Sequence, residues 1–334
     1  MTSKIGQSGK AITQPDAFSI QRRFNDFDEF AEAVHDWKLE FVQLDRGQFQ
    51  AEFEQAGAAH FQLGHASFGR LLHQQGDTPA GLRTFVVPGD AAFRILWRGR
   101  EITGRDIGVF PEGGVLDSVS LPGFDVFVPS LPEQLLDVRA RRLGLPPVER
   151  IVGGSEVMQC DPDAVDRLRS WLRSVMTELV ERPDLLEDSQ TSEEIAWAIA
   201  GNLLTTLATG GDTPVQPSLR PRLRVSESSL DYIACHPGRV LKVSEVADAV
   251  GVSERTLRRA FQERFGVSTK QYLKARQLRA ARRELARIDP DRTQVREVAL
   301  RWGFWHSSQF AQDYRRAFGE LPSDTLRRTS RRDA

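Results

Sequence analysis

Two stretches, VSEVADAVGVSERTLRRAFQERFG over 243–266 and VREVALRWGFWHSSQFAQDYRRAFG over 295–319, share one build. In each, a short amphipathic segment runs into a glycine break, and a second amphipathic segment opens on small polar residues. Gly251 and Gly303 hold equivalent breaks, and Ser253 and His306 open equivalent second segments 53 residues apart. This is the sequence form of a helix-turn-helix, written twice, and it restricts the C-terminal third of the chain to an all-helical domain. A chain so built is expected to read duplex DNA with two heads.

The formal net charge of −1 conceals an asymmetry. Residues 221–334 carry 24 Lys and Arg against 14 Asp and Glu, whereas residues 1–220 carry 21 against 32. The first balance suits a phosphate backbone and the second repels one. Basic charge alone also suits RNA or a membrane surface, so its weight comes from coinciding with the repeated motif. Cys160 and Cys235 lie in different segments with no CxxC pair, which fits a reducing compartment rather than a disulfide framework. The start of the chain lacks an apolar run of signal type, and no 18-residue uncharged apolar stretch occurs anywhere. The expectation is a cytoplasmic protein with no membrane partner.

With 334 residues the chain has room for two domains. Residues 1–18 read as a mobile leader. Residues 19–150 hold short apolar runs punctuated by Gly, Pro and Asp, with alternation at Phe49, Ala51 and Phe53 and again at Phe61, Leu63 and His65. Brief strands and turns of this kind predict an antiparallel sheet or small barrel, preceded by a helix in which Phe24, Phe27, Phe30, Ala31 and Val34 recur at helical intervals. Over 161–208 the period becomes helical, with Val165, Leu168, Leu172, Met176 and Leu179 on one face and Ile195, Ile199, Leu203, Leu204 and Leu207 on another. These two helices either close the core of their own subunit or build a dimer, and 19–208 is expected to be an effector-sensing and dimerisation unit. TGGDTPVQPSLRPR, over 209–222, reads as a linker, and 223–334 as the DNA-binding domain. The fold class is therefore α+β: a mostly-β, barrel-like domain with flanking helices, then an all-α domain with two helix-turn-helix motifs.

In the first head, Leu257, Ala260 and Phe261 take the inward face and leave Arg255, Arg258, Arg259 and Gln262 outward. Arginine makes a bidentate contact to guanine and glutamine pairs with adenine, so this face has the chemistry to discriminate bases. In the second, Phe310, Tyr314 and Phe318 point inward, and Ser307, Ser308, Gln309 and Gln312 outward. Short hydroxyls grip base edges less well and serve phosphates equally. His306 opens this helix and is expected to donate to a phosphate there. Trp302, Phe304 and Trp305 are expected to pack the turn. The helix over 268–288 joins the heads, with Lys270, Lys274, Arg279, Arg282 and Arg283 expected to stay in solvent and Lys270 to reach a phosphate.

Residues 225–329 resemble the DNA-binding domain of the AraC/XylS family of bacterial transcription regulators. The motif residues Ala247, Gly251, Ser253, Leu257, Phe261, Gly266, Arg276, Leu278, Gly303, Phe304, Phe310, Gly319 and Pro322 stand in family places. The resemblance covers about a third of the chain. It implies base reading by Arg255, Arg258 and Arg259 in the first head and by Ser307, Ser308, Gln309 and Gln312 in the second. Gln312 replaces the arginine common at its place, and Leu326 replaces the usual tyrosine of the closing motif. Promoter DNA, RNA polymerase, a small-molecule effector and a second copy of the chain are the partners implied, with activation the expected sign. WGFWHSSQFAQDYRRAFGELPS also looks like the ethanolamine-utilisation regulators within the family, whose effectors are ethanolamine with a cobalamin. No residue set carries that ligand across, so an amine or a cobalamin is one option among several.

An enzyme is the competing class: a cupin-type metalloenzyme, or a small-molecule-binding enzyme, fused to reading heads. His60, His65 and His73 are its nearest support, but they lack the HxH spacing of a cupin. The reading is of a non-enzyme without cofactor or metal. Pocket walls are expected from Phe61, Phe68, Phe85, Phe93 and Trp97, and a charged anchor from Arg83, Arg94 or Glu101.

Overall fold

The computed structural model describes residues 17–98, 100–212, 220–289 and 293–330. The expected leader lies almost wholly outside them. The first element is a strand, β1 (Phe18–Phe24), and only then comes the helix α1 (Phe27–Ala33). The expected order, helix before all strands, is thereby corrected. FSIQRRF pairs with a neighbouring strand along its whole length, from Phe18 opposite Gly57 to Phe24 opposite Ala51, and that ladder outweighs the helical spacing of Phe24 with Phe27. Asp26 separates the two, its Oδ1 accepting from the backbone N–H of Asp28 (2.8 Å) and Glu29 (3.2 Å) as the helix N-cap.

Among the described residues ten strands follow: β2 (Lys38–Gln43), β3 (Ala51–Ala58), β4 (Phe61–Phe68), β5 (Leu72–Asp77), β6 (Arg83–Pro88), β7 (Arg94–Trp97), β8 (Arg100–Thr103), β9 (Asp106–Phe110), β10 (Val115–Ser120) and β11 (Phe124–Leu131). Then come α2 (Glu133–Arg142), α3 (Val148–Val152), β12 (Val157–Gln159), α4 (Pro162–Glu181), a 3₁₀ turn (Pro183–Leu186), α5 (Ser189–Leu207) and β13 (Gly211–Asp212). Two antiparallel sheets result, in the orders β1-β3-β4-β11-β6-β9-β12-β13 and β2-β5-β10-β7-β8. Because successive side chains point to opposite faces, the larger sheet has two apolar sides. Phe53, Ala66, Phe68 and Val126 face the smaller sheet, while Phe61, Leu63, Phe85, Val87 and Phe127 face α2, α4 and α5. Of the two roles open to α4 and α5, the structure shows core closure: their apolar stripes bury against this sheet and each other. Helix α2 falls inside the stretch expected to be barrel, 19–150, and α3 begins at its end. EQLLDVRARR turns helical because Leu136 and Ala140, four apart, bury against α5.

The linker expected over 209–222 is shorter than its composition suggests. Gly211 and Asp212 pair with Gln159 and Met158, and α6 (Arg220–Ala234) begins inside the expected linker. Residues 213–219 lie outside the described residues. The helical domain continues with α7 (Val243–Ala249), α8 (Glu254–Phe265), α9 (Thr269–Leu285), α10 (Val295–Arg301), α11 (Ser307–Phe318) and α12 (Pro322–Ser330). It docks on the outer face of the five-stranded sheet, where Val119 joins the apolar core of the first head and α9 packs on β2. Among the described residues, no helix is long and apolar enough to cross a membrane.

Candidate nucleic-acid interface and barrel cavity

The first head is α7, a turn and α8. Gly251 takes φ +68° in the turn, a backbone conformation that other residues adopt at a cost. Ser253 then caps α8, its Oγ accepting from the Thr256 N–H at 3.2 Å. Leu257, Ala260, Phe261 and Phe265 are buried, so α8 can turn only one face to solvent, and Arg255, Arg258, Arg259 and Gln262 lie exposed on it. They differ in freedom. Arg259 Nε donates to Glu263 at 3.1 Å, and Gln262 Nε2 donates to the Gly266 carbonyl at 2.8 Å. Arg255 and Arg258 have no ion pair among the described residues, which leaves both guanidinium groups available to an incoming base or phosphate.

The second head repeats the plan with different chemistry. Gly303 takes φ +82° at the break, and a Cβ there would stand 2.8 Å from Val240 Cγ1, so both backbone and space require glycine. His306 occupies the N-cap of α11 but makes no capping bond, and its side chain is exposed along with Ser307, Ser308, Gln309 and Gln312. Gln309 bonds Asp313, which Lys274 also holds at 2.7 Å. Trp305 departs from expectation: it is 76% exposed beside His306 rather than packed in the turn. Phe304 and Phe310, centroids 4.9 Å apart, already fill the space beneath. Lys270 is exposed on the first turn of α9, which Ser268 caps.

Two cations expected in solvent are not there. Arg279 and Arg282, on α9, are buried against the acidic first domain: Arg279 holds Asp28 (2.9 Å) and Glu40 (3.3 Å), and Arg282 holds Asp26 (2.6 Å). Their helical positions alone look like a wet face, and only the docked partner reveals their use. Arg264, near the end of α8, carries no sequence signal of burial for the same reason. It is 2% exposed and bonds the Asp117 carboxylate of β10 and, at 2.9 Å, Ser226 Oγ. Asp117 also takes His73 Nε2 at 3.1 Å, and His73 Nδ1 meets Tyr272 Oη of α9 at 2.9 Å. Burial presses the His73 imidazole below its ordinary range despite the pull of Asp117. A neutral ring then donates from Nε2 to Asp117 and accepts from the Tyr272 hydroxyl. Gln43 Nε2 to the Ala317 carbonyl (2.8 Å), Gly47 N–H to the Arg316 carbonyl (2.8 Å) and Phe27 against Phe318 complete a seam reaching both heads.

Between the sheets lies an apolar cavity of about 80 Å³. One row across the small sheet, Phe41, Gln74, Ser118 and Trp97, lines it. The next row, Val42, His73, Val119 and Leu96, shares the other face, which carries the seam. Phe68 and Trp97 thus line the cavity as expected of wall residues, whereas Phe61 and Phe85 lie on the helix side of the larger sheet, and Phe93 does not line it. The expected charged anchors are engaged elsewhere: Arg83 by Glu133 and Glu149, Arg94 by Glu101. His60 sits in the β3–β4 turn, while His65 is held by Asp125 (2.9 Å) and Glu54 (3.3 Å), whose carboxylates outweigh burial and raise its pKa. Among the described residues no group of three or more His, Cys, Asp or Glu is placed to hold a metal ion.

The family model described as a helix-turn-helix domain matches residues 246–328. The chain is 34% identical over 197 residues to the probable thc operon regulatory protein of Rhodococcus erythropolis, covering 58% of each. It is 32% identical over 139 residues to the XylDLEGF operon transcriptional activator 1 of Pseudomonas putida, 42% of this chain and 41% of that one. A solved structure of a probable AraC family transcriptional regulator from Rhodopseudomonas palustris CGA009 is 32% identical and matched over 97% of its length and 32% of this chain, with a TM-score of 0.29. The chain spans about half the length of the curated relatives it matches. By these sequence matches it belongs to the AraC/XylS family of transcriptional regulators.

Proposed function

We propose that this chain is an effector-responsive, DNA-binding transcription regulator, an activator that works from the cytoplasm on promoter DNA and RNA polymerase and that has no enzymatic activity. The observation that carries the reading is the pair of helix-turn-helix units on one connecting helix, each with the outer face of its second helix exposed. Arg255, Arg258, Arg259 and Gln262 read the first groove segment, Ser307, Ser308, Gln309 and Gln312 the second, and His306 and Lys270 hold phosphates. The named relatives regulate operons, and one is called an activator, which supports the sign. The effector site is the barrel cavity, and the seam formed by Asp117, His73, Arg264 and Arg279 carries its state to the heads. A homodimer is part of the reading, as is kinship with the ethanolamine-utilisation regulators, which rests on sequence motifs alone. A cobalamin is far larger than the cavity.

The two-headed arrangement is tested by hydroxyl-radical footprinting on the DNA upstream of the chain's own gene. One subunit should protect two short tracts on one face of the duplex, centred about 10 base pairs apart. A single tract, or uniform protection of both faces, would count against it.

A further inference from the structure

We propose that the barrel cavity takes a small, uncharged aromatic molecule bearing one hydrogen-bond acceptor, and that Gln74 recognises that acceptor. The proposal rests on the effector-responsive reading above and names the chemistry of the ligand.

The first ground is the walls. Phe30, Phe41, Phe53, Phe68 and Trp97 surround the cavity, so a flat apolar body meets ring faces and edges on several sides. The second ground is charge. Among the described residues that line the cavity, His65 is the one ionisable residue, and its ring turns to the opposite face of the sheet, stacked on Phe127 at 4.5 Å and held by two carboxylates. A carboxylate or ammonium entering here would lose its water without gaining a counter-ion. The third ground is a missing partner. Gln74 is 6% exposed, lines the cavity, and its Nε2 has no hydrogen-bond partner among the described residues. The neighbouring amides have theirs: Gln55 is paired with the His35 backbone, and Gln62 Nε2 donates to Asp36 at 2.6 Å. A buried unpaired donor is costly, and a ligand oxygen that pairs with it recovers that cost, so the site selects for an acceptor.

Size links binding to the heads. At about 80 Å³ the cavity is smaller than the roughly 150 Å³ that accommodates benzene in an apolar core, so a ring must displace a wall. The larger sheet is backed by the continuous apolar packing of α2, α4 and α5. Behind the smaller sheet stands the polar seam, and β5 and β10 present Gln74 and Ser118 to the cavity while presenting His73 and Asp117 to the heads. Displacement therefore falls on the sheet that holds α8 and α9.

The test is thermal denaturation of the full chain with benzamide, benzoate, benzylamine and toluene at matched concentrations. Benzamide is expected to raise Tm by roughly 2–4 °C near saturation, with benzoate and benzylamine ineffective. Gln74→Leu should abolish the benzamide shift while toluene still stabilises it, and Gln74→Met serves the same end if leucine perturbs the strand. Benzoate or benzylamine shifting Tm more than benzamide, no response of the wild type to benzamide, or a Gln74 variant responding like wild type would each overturn the proposal. Failure of the regulator reading looks different: the chain would fail to discriminate its own upstream DNA whether or not benzamide binds.

Discussion

Replacing Arg258 with alanine is expected to erase discrimination at one base pair of the target site, at a cost of ~1–3 kcal/mol, while leaving binding to random duplex little changed. Arg258 is exposed in the middle of α8, has no ion pair among the described residues, and is flanked by Arg255 one turn before and by Arg259. Arg259 is tied to Glu263 and must break that exposed pair to reach a base. Lys270→Ala should behave in the opposite way. A phosphate contact carries no sequence information, so affinity for all duplexes should fall together and the salt dependence should flatten by about one counterion. Fluorescence anisotropy of both variants against the target, its single-base variants and random DNA, across a salt series, separates the two behaviours. Uniform weakening by Arg258→Ala would show that it touches the backbone only.

Asp117→Ala is expected to open the seam between the barrel and the first head. It strands Arg264, whose side chain is 3% exposed, and removing one partner of a buried ion pair costs ~3–5 kcal/mol. Hydrogen exchange should quicken in α8, in the first turns of α9 and along β5, while α4 and α5 keep their protection. Removing both charges, with Asp117→Leu and Arg264→Met together, should recover much of the loss. Acid should act on the same seam. Buried His73 has its pKa held below the ordinary 6.5 in the fold, so the unfolded chain binds more protons and stability drains away as pH falls below about 6.5. Burial opposes the charge on Asp117, but the His73 bond and the Arg264 and Arg98 charges prevail and hold its pKa below the ordinary 3.8. Its share is lost only under that value. Tm should therefore decline as pH falls below about 6.5, less steeply in His73→Gln. Equal slopes would remove His73 from the seam.

The heads were legible because a helix-turn-helix is local: Gly251, Ser253, Leu257 and Phe261, with their counterparts Gly303, His306, Phe310 and Tyr314, fix turn and inward face within a short span. The strands of the barrel were legible in kind from alternation such as Phe61, Leu63 and His65. What periodicity cannot assign is which of two buried faces a residue serves. Phe61 and Phe68, seven apart on one strand, fall on opposite faces, but both faces are apolar, and only the packed structure shows that one meets helices and the other lines the cavity. The seam was illegible for a related reason. Arg264, Arg279 and Arg282 look like a basic helix surface until Asp117, Asp28 and Asp26 arrive from more than a hundred residues away. Gln74 carries no signal of its own in sequence, and its meaning comes from a buried amide N–H that no described residue pairs.

The central claim, sequence-specific reading of duplex DNA by the two heads, is tested most directly by a competition titration of the purified chain at about 150 mM salt. Labelled DNA from upstream of its own gene is displaced by unlabelled copies of itself or by random duplex of equal length. Random duplex is expected to compete at least about 1,000-fold less well. Equal competition by the two would contradict it.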